Sequence, residues 1–258
     1  MRKVLQIVTF TMMVILSLGF TTPGKKVISY GPGEYLEYSL SYGFIKGGKG
    51  VLSVKDTVLN GQRVNQVVAR GETVGIADAV FSVKDRYESF IIPESDLPIK
   101  SVRSIKEGRY RYYDEVTYNH DSLYVKSKLK GTHPVPSRIQ DILSAFYYAR
   151  NFSFNDNLKE GEMIEIMTYF SNEIYPLRIR YRGKEDVKTK FGTVQCYLFS
   201  PVTEAGRAFV TEDDMHIWIS RDNNHIPVRI QFDLKVGSFN CELETYKNLK
   251  NPFSSIKK

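Results

Sequence analysis

Alternation of apolar and polar residues with a period of two runs through most of this chain. It is cleanest over 226–236, where Ile226, Val228, Ile230, Phe232, Leu234 and Val236 alternate with Pro227, Arg229, Gln231, Asp233 and Lys235. Successive side chains of a pleated strand point to opposite faces, so this pattern predicts a strand with one buried and one wet side. Leu36, Tyr38, Leu40 and Tyr42 repeat it near the start, as do Leu177, Ile179 and Tyr181 set against Arg178, Arg180 and Arg182. The same reading predicts strands over 50–58, 64–70, 82–90, 99–107, 109–118, 122–129, 163–170, 193–200, 215–220 and 238–246. Turn formers separate them: Asn60-Gly61, Asn119-His120-Asp121, Ser171-Asn172, Lys190-Phe191-Gly192 and Asp222-Asn223-Asn224. Asn-Gly suits a tight hairpin because both central positions need positive φ. Many strands joined by short turns, without alternating helices, predict a mainly antiparallel β protein: a large curled sheet, an open barrel or a sandwich.

One segment breaks the period. Ile139, Ile142, Leu143, Phe146 and Tyr147 recur at helical spacing, after Pro134 and Pro136 have ended the preceding strand. Ser137 followed three residues later by Gln140 matches a capping box, so an amphipathic helix over about 137–150 is expected to cover the curved sheet. A second helical turn is expected at 76–81. No repeat, low-complexity stretch or linker divides the chain, which predicts one β-rich domain over 30–247, preceded by a lead-in over 20–29. The polar, basic tail 248–258, with Pro252, is expected to fray.

The first residues bear on compartment. Met1-Arg2-Lys3 is a short positive segment, and 4–18 is almost uninterruptedly apolar, ended by Thr21, Thr22, Pro23 and Gly24. That run has signal-peptide length and is short for a membrane span. Ser17 and Gly19 have the spacing of a signal-peptidase site, so cleavage after Gly19 and export to the periplasm or medium are expected, with no transmembrane segment in the mature chain. No Cys stands there to be acylated. Without Arg2 and Lys3 the formal charge falls from +7 to +5. Basic and acidic residues are interspersed, whereas a nucleic-acid binder concentrates its excess on one face, so no nucleic-acid partner is expected.

Two cysteines are too few to staple a chain of this size, so the core must hold it. Cys196 and Cys241 both fall on the apolar phase of predicted strands. They are expected either as two buried thiols or as a disulfide between neighbouring strands.

Chemistry-bearing patterns are sparse. Gly43-Phe44-Ile45-Lys46-Gly47-Gly48-Lys49 has the spacing of a phosphate loop, but Gly50 replaces the magnesium-holding hydroxyl and a strand follows instead of a helix, so a glycine-rich hairpin is expected. His120, His133, His216 and His225 lie at no metal-ligand spacing, and no cofactor is expected. The carboxylate pairs Asp85 and Glu88, Asp114 and Glu115, Glu185 and Asp186, and Asp213 and Asp214 are candidates for glycoside hydrolysis only by proximity in sequence. In Arg109-Tyr110-Arg111-Tyr112-Tyr113 the tyrosines Tyr110 and Tyr112 are expected in the core with the arginines outside. The arginine stripe 178, 180, 182 is expected to be a solvated face.

The run Gln140-Asp141-Ile142-Leu143-Ser144-Ala145-Phe146-Tyr147-Tyr148-Ala149-Arg150 resembles the central motif of an exported bacterial family, domain of unknown function 3108. Gly33-Glu34-Tyr35-Leu36-Glu37-Tyr38, Val83-Lys84-Asp85-Arg86-Tyr87-Glu88-Ser89 and Ile217-Trp218-Ile219-Ser220 leading to Ile226-Pro227-Val228 extend the resemblance over nearly the whole expected mature chain. Ile142 departs from the Pro that many members carry. The resemblance implies an envelope location and a β-rich fold and supplies no catalytic residues. Its motif marks Gln140, Asp141, Ser144, Tyr147, Tyr148 and Arg150 as residues of interest, structural or functional. The leading expectation is a non-enzymatic envelope protein that binds an apolar or amphipathic ligand, lipid or glycolipid, on the concave side of its sheet. The alternatives are a protein-interaction scaffold in envelope assembly and a polysaccharide-acting enzyme.

Overall fold

The structure, a computed structural model, describes residues 27–152, 154, 158–202, 211, 213–233 and 237–257. The expected signal peptide lies outside the described residues. Among the described residues, fourteen strands form a single sheet. The first eight are β1 (Tyr35–Tyr42), β2 (Ile45–Leu59), β3 (Gln62–Thr73), β4 (Lys84–Ile91), β5 (Pro98–Glu107), β6 (Tyr110–Asn119), β7 (Tyr124–Ser127) and β8 (Gly131–Pro134). The remaining six are β9 (Met163–Phe170), β10 (Glu173–Thr189), β11 (Gly192–Pro201), β12 (Met215–Ser220), β13 (Pro227–Asp233) and β14 (Ser238–Lys247). Two helices among the described residues accompany the sheet, α1 (Gly75–Val80) and α2 (Ile142–Arg150).

Except for β8 and β9, consecutive strands pair antiparallel, and β1 pairs with β14, so two meanders meet at one seam. The sheet does not close. Its outer strands, β8 and β9, are consecutive in the chain, and the segment between them carries α2. Val135 N–H donates to the Leu123 carbonyl, extending the β7–β8 pairing, and the residues leading into the helix then cross to the other edge, where Gln140 bridges Thr168 of β9 in parallel. Tyr118, Val125, Val135, Ile139 and Tyr169 form the core there. Farther along, Leu143 and Tyr147 pack on Tyr30, Val54, Val67 and Ile91 of the first meander. Of the architectures left open by the strand pattern, the curled, barrel-like sheet is the one observed.

Several expectations change in detail. The helix begins at Ile142 rather than at 138, because Asp141, not Ser137, caps it: Asp141 Oδ1 accepts from Leu143 and Ser144 N–H, and Ser144 Oγ accepts from Asp141 N–H. Ile139 and Gln140 are engaged with β9 instead, through Tyr169 and Thr168. Ile142 is thus the first helical residue, a position where Pro would also fit. The tail is docked rather than frayed: Ile256 bridges Val194, Ser255 is buried, and Phe253 and Ile256 pack with Val187, Val194, Cys196 and Val228. By strand alternation Val194 and Cys196 face away from Tyr197 and Phe199, so the tail covers the outer face of the sheet where the helix side cannot. The two cysteines are free, and they stand on β11 and β14 with two strands between them, which excludes a bridge between neighbours. Tyr110 is exposed and Tyr112 half-buried; the fully buried residue of that strand start is Asp114.

Candidate functional site

The family-motif helix is fastened at both ends. At its start Asp141 is buried, and besides capping the helix it accepts a 2.6 Å hydrogen bond from Ser89 Oγ on β4. Burial raises its pKa, against the hydrogen bonds from Ser89 and Ser144 that favour the anion. At its end Arg150 enters a closed polar cluster. The guanidinium donates from Nη1 and Nη2 to the two carboxylate oxygens of Glu34, at 2.7 and 2.8 Å, and further to the carbonyls of Asn224 and Ser29. Its side chain is 2% exposed and that of Glu34 0%. The rings of Tyr30 and Tyr147 flank the guanidinium, and the rings themselves meet edge to face at 4.6 Å. Desolvation works against the charge on Arg150, yet Glu34 outweighs it and holds the group above its ordinary pKa.

Around this pair His225 Nδ1 lies 2.6 Å from the Arg150 carbonyl, which makes it the donor, and Ser29 Oγ donates to the same carbonyl. Asn151 Nδ2 donates to Asp96, and Asp222 gathers Ser220, Asn224 N–H and Ser255. Of the motif residues, Gln140 is buried and Nε2 donates to the Asp96 carbonyl, while Tyr148 is half-buried against Phe152 and Arg138. Four remote stretches, near residues 30, 96, 150 and 224, are thereby tied together. The motif residues line the fastening, and two of them, Asp141 and Arg150, also border the recesses beside the helix.

Two recesses flank the helix. The first is walled by Tyr87, Arg103, Tyr112, Asp114, Asp141 and Tyr169, with about 470 Å3 of empty space counted out to its open side. Arg103 lies over the Tyr112 and Phe170 rings at 4.9 and 4.7 Å and donates to Ser171 Oγ. Its carboxylates are all committed: Asp114 accepts from Ser127 Oγ and Leu129 N–H, Glu88 from Arg86 and Gln66, and Asp141 caps the helix. The second recess is apolar apart from the stem of Arg150. Phe146 and Ala149 of α2, Phe154, Ile164 of β9, Ile179 of β10, Phe199 of β11 and Ile217 and Ile219 of β12 enclose about 420 Å3, again counted out to the open side. It lies on the core cluster of Tyr181, Tyr197, Phe199 and Ile219.

The remaining candidates are dispersed. The phosphate-loop spacing is the β1–β2 hairpin, where a Cβ at Gly48 would stand 3.0 Å from the Glu72 carbonyl. Among the described residues no three His, Cys, Asp or Glu side chains converge as a metal site would require. Neighbouring carboxylates diverge to separate partners: Asp114 to Ser127 and Glu115 to Lys100, Glu185 to Trp218 and Asp186 to Lys257. Arg178 and Arg180 form ion pairs with Glu165 and Asp213 on an outer face. His120 turns back to the Pro98 carbonyl and His216 lies 3.6 Å from Asp233. Sequence reasoning passed over Glu34, Ser29, Asn224 and Arg103. Only Glu34 carried a signal, its place in the opening family stretch.

Comparison with known proteins agrees with this fold. The family model described as protein of unknown function (DUF3108) matches residues 37–244. A search of curated proteins finds no match. Among solved structures, the β-barrel-like protein of domain of unknown function DUF1849 from Brucella abortus aligns with 88% of this chain and all of its own. That alignment has a TM-score of 0.54 and 9% identity, a likeness of fold alone. A DUF1089 family protein from Pseudomonas aeruginosa aligns with 80% of this chain and 92% of its own, at 9% identity and a TM-score of 0.31. No helix among the described residues is long and apolar enough to cross a membrane.

Proposed function

The chain belongs to the family of proteins of unknown function DUF3108, and from its own geometry we propose that it is an exported, non-catalytic protein that holds the apolar part of an amphipathic ligand against α2. The observation that carries this reading is the second recess. Isoleucine and phenylalanine from four strands and the helix leave a gap there that their own side chains do not fill. Well-packed interiors leave few voids, and apolar concavities are where small ligands bind. With a cavity volume of about 50 Å3 and one open side, the recess suits the end of one hydrocarbon chain, not a whole lipid. The walls are preformed, because α2 is tied to β4 through Asp141 and to the seam through Arg150, and a preformed site avoids ordering costs on binding. The leader-like first residues support a place in the cell envelope.

The test is native purification of the chain from residue 20 onward, which contains the whole described fold, followed by mass spectrometry of extracted small molecules. Uptake of N-phenyl-1-naphthylamine, an apolar fluorescent probe, is measured alongside. Ala149→Trp, which fills the recess from the helix side, is expected to weaken probe uptake at least tenfold while the melting temperature stays close to that of the parent. A protein that is purified empty and takes up no probe, or an Ala149→Trp variant that takes it up unchanged, overturns the reading.

A further inference from the structure

The strand order brings the β1–β2 hairpin, the α1 connection and the β5–β6 turn to one end of the barrel. Val74 N–H donates to the Gly47 carbonyl, joining the α1 connection to β2, and Gly108 N–H donates to the Ser82 carbonyl, joining it to the β5–β6 turn. The turn and the connection touch so closely that a Cβ at Gly108 would stand 2.7 Å from the Phe81 ring. This end is unusually apolar. Phe44 is 97% exposed, Ile76 85% and Val80 82%, and Ile45, Phe81 and Tyr110 are exposed beside them. These six are drawn from the fifteen large apolar side chains exposed among the described residues. Helix α1, Gly-Ile-Ala-Asp-Ala-Val, buries no residue at all. Scattered exposed apolar groups need no explanation, but a cluster from three separate elements marks an interaction surface.

The charges at this end decide what it fits. Lys46, Lys84, Lys106, Arg109 and Arg111 are exposed, against one exposed acid, Glu72. The other acids nearby are half-buried and engaged: Asp78 accepts from Thr73 Oγ1, and Asp85 from Lys106 N–H. Glu107, half-buried beside Asp85, has its pKa raised by desolvation and then by that neighbour. Lys46 is paired with Glu244, but Lys84, Lys106, Arg109 and Arg111 still stand exposed among the apolar side chains. Such a surface matches the interface of an anionic bilayer, where the rings and branched chains enter the acyl boundary and the cations meet lipid phosphates. A protein partner would more commonly be met by a surface with fewer lysines. We propose that this end of the barrel docks on an anionic membrane surface through Phe44, Ile76, Val80 and Phe81, with Lys106 and Arg109 beside them. The proposal goes beyond ligand binding in the recess and does not require it.

Vesicle flotation tests it, using the chain from residue 20 onward with vesicles of phosphatidylcholine alone or with about 30 mol% phosphatidylglycerol. The protein is expected to float with the anionic vesicles and to be released by high salt. The variant Phe44→Ser/Ile76→Ser/Val80→Ser and the variant Lys106→Glu/Arg109→Glu should each weaken flotation about tenfold or more. Circular dichroism and melting of both should match the parent, since every changed side chain is exposed. Uptake of the naphthylamine probe should also match the parent, which separates this surface from the recess. Failure to float, flotation that survives both variants, or a concentration-dependent dimer dispersed by the serine variant in place of vesicle binding would each overturn the proposal.

Discussion

Replacing Glu34 with Gln leaves the shape of the Arg150 cluster almost unchanged and removes one charge. Both partners are essentially inaccessible, with side-chain exposures of 2% and 0%, and the contact is bidentate. Removing one partner of a buried pair leaves an uncompensated ion in a poorly polarisable interior, a loss of about 3–5 kcal/mol. Arg150 would keep the Asn224 and Ser29 carbonyls and the Tyr30 and Tyr147 rings, which places Glu34→Gln toward the lower figure. In a domain of this size about 3 kcal/mol corresponds to a fall of roughly 6–12 °C in melting temperature. The assay is urea unfolding followed by circular dichroism, with Glu34→Gln, Arg150→Met and the double variant forming a cycle. The double variant should be more stable than the sum of the single losses by more than about 1.5 kcal/mol, because each single change strands the other group. A Glu34→Gln loss below about 1 kcal/mol, or additive single losses, would refute the reasoning, since neither fits a desolvated, directly coupled pair.

The thiols of Cys196 and Cys241 are both pushed up to about 12, by burial first and then by nearby carboxylates; an alkylating reagent at neutral pH should leave both unmodified in the folded protein and label both in urea, and a rapid native reaction would contradict this. His225 has its pKa lowered, chiefly by burial, although its hydrogen bond to the Arg150 carbonyl opposes the shift. The unfolded chain therefore binds that proton more readily, so the contribution is whole above the unfolded value near 6.5 and is lost as pH falls below it. Unfolding at pH 7.5 and 5.5 should show the parent losing more stability than His225→Asn, a residue that tolerates the positive φ of this position; equal losses would exclude the histidine as the source. Deleting residues 249–258 strips Phe253, Ser255 and Ile256 from the outer face of the second meander and should lower stability by about 2–3 kcal/mol, since each half-buried apolar side chain contributes roughly half of the 1.5–3 kcal/mol of a fully buried one. A truncated chain that melts with the parent would mean that the docking contributes nothing.

What the sequence made legible was whatever depends on neighbours along the chain. Period-two alternation located most strands, and Asn60-Gly61 and Ser171-Asn172 stand at hairpin turns with Asn60, Ser171 and Asn172 at positive φ. β10 shows where alternation stops helping. It runs seven residues past Arg182, through Gly183-Lys184-Glu185-Asp186, because a bulge between Tyr181 and Gly183 reverses the faces, and Val187 then packs on the outer core under the tail. The helix start was misplaced for a related reason. Ser137-x-x-Gln140 and Asp141-x-x-Ser144 both have capping spacing, and only the pairing of Gln140 with β9, a contact across 28 positions, decides between them. The cysteines needed the strand order, which alternation does not contain. Arg150 lies 116 residues from Glu34 and 74 from Asn224, and the three carry no shared periodicity, so their cluster was not legible except as fragments of a family pattern.

The open sheet and the polar fastening explain one another. A fourteen-stranded sheet that curls without closing leaves two outer strands whose unpaired backbone groups must be satisfied, and here the chain between them does this for β9 by laying Gln140 along it. That arrangement puts a helix of nine residues, roughly 13 Å long, across the inside of the barrel. So short a helix is not stable by its own propensity. Apolar contacts secure its middle, where Leu143 and Tyr147 meet the first meander, but an apolar stripe alone would let it slide along or turn on the sheet. Asp141 on Ser89 and Arg150 on Glu34 and Asn224 fix both its height and its rotation, because directional hydrogen bonds from buried groups are satisfied in only one position. With the helix so held, Phe146 and Ala149 are kept off Ile179, Phe199 and Ile217, and the gap between them stays open instead of collapsing. A helix released at either end should therefore close or reshape that recess, so Glu34→Gln ought to lower probe uptake even under conditions where the protein remains folded. Unchanged uptake in the folded variant would mean that the strands alone shape the recess.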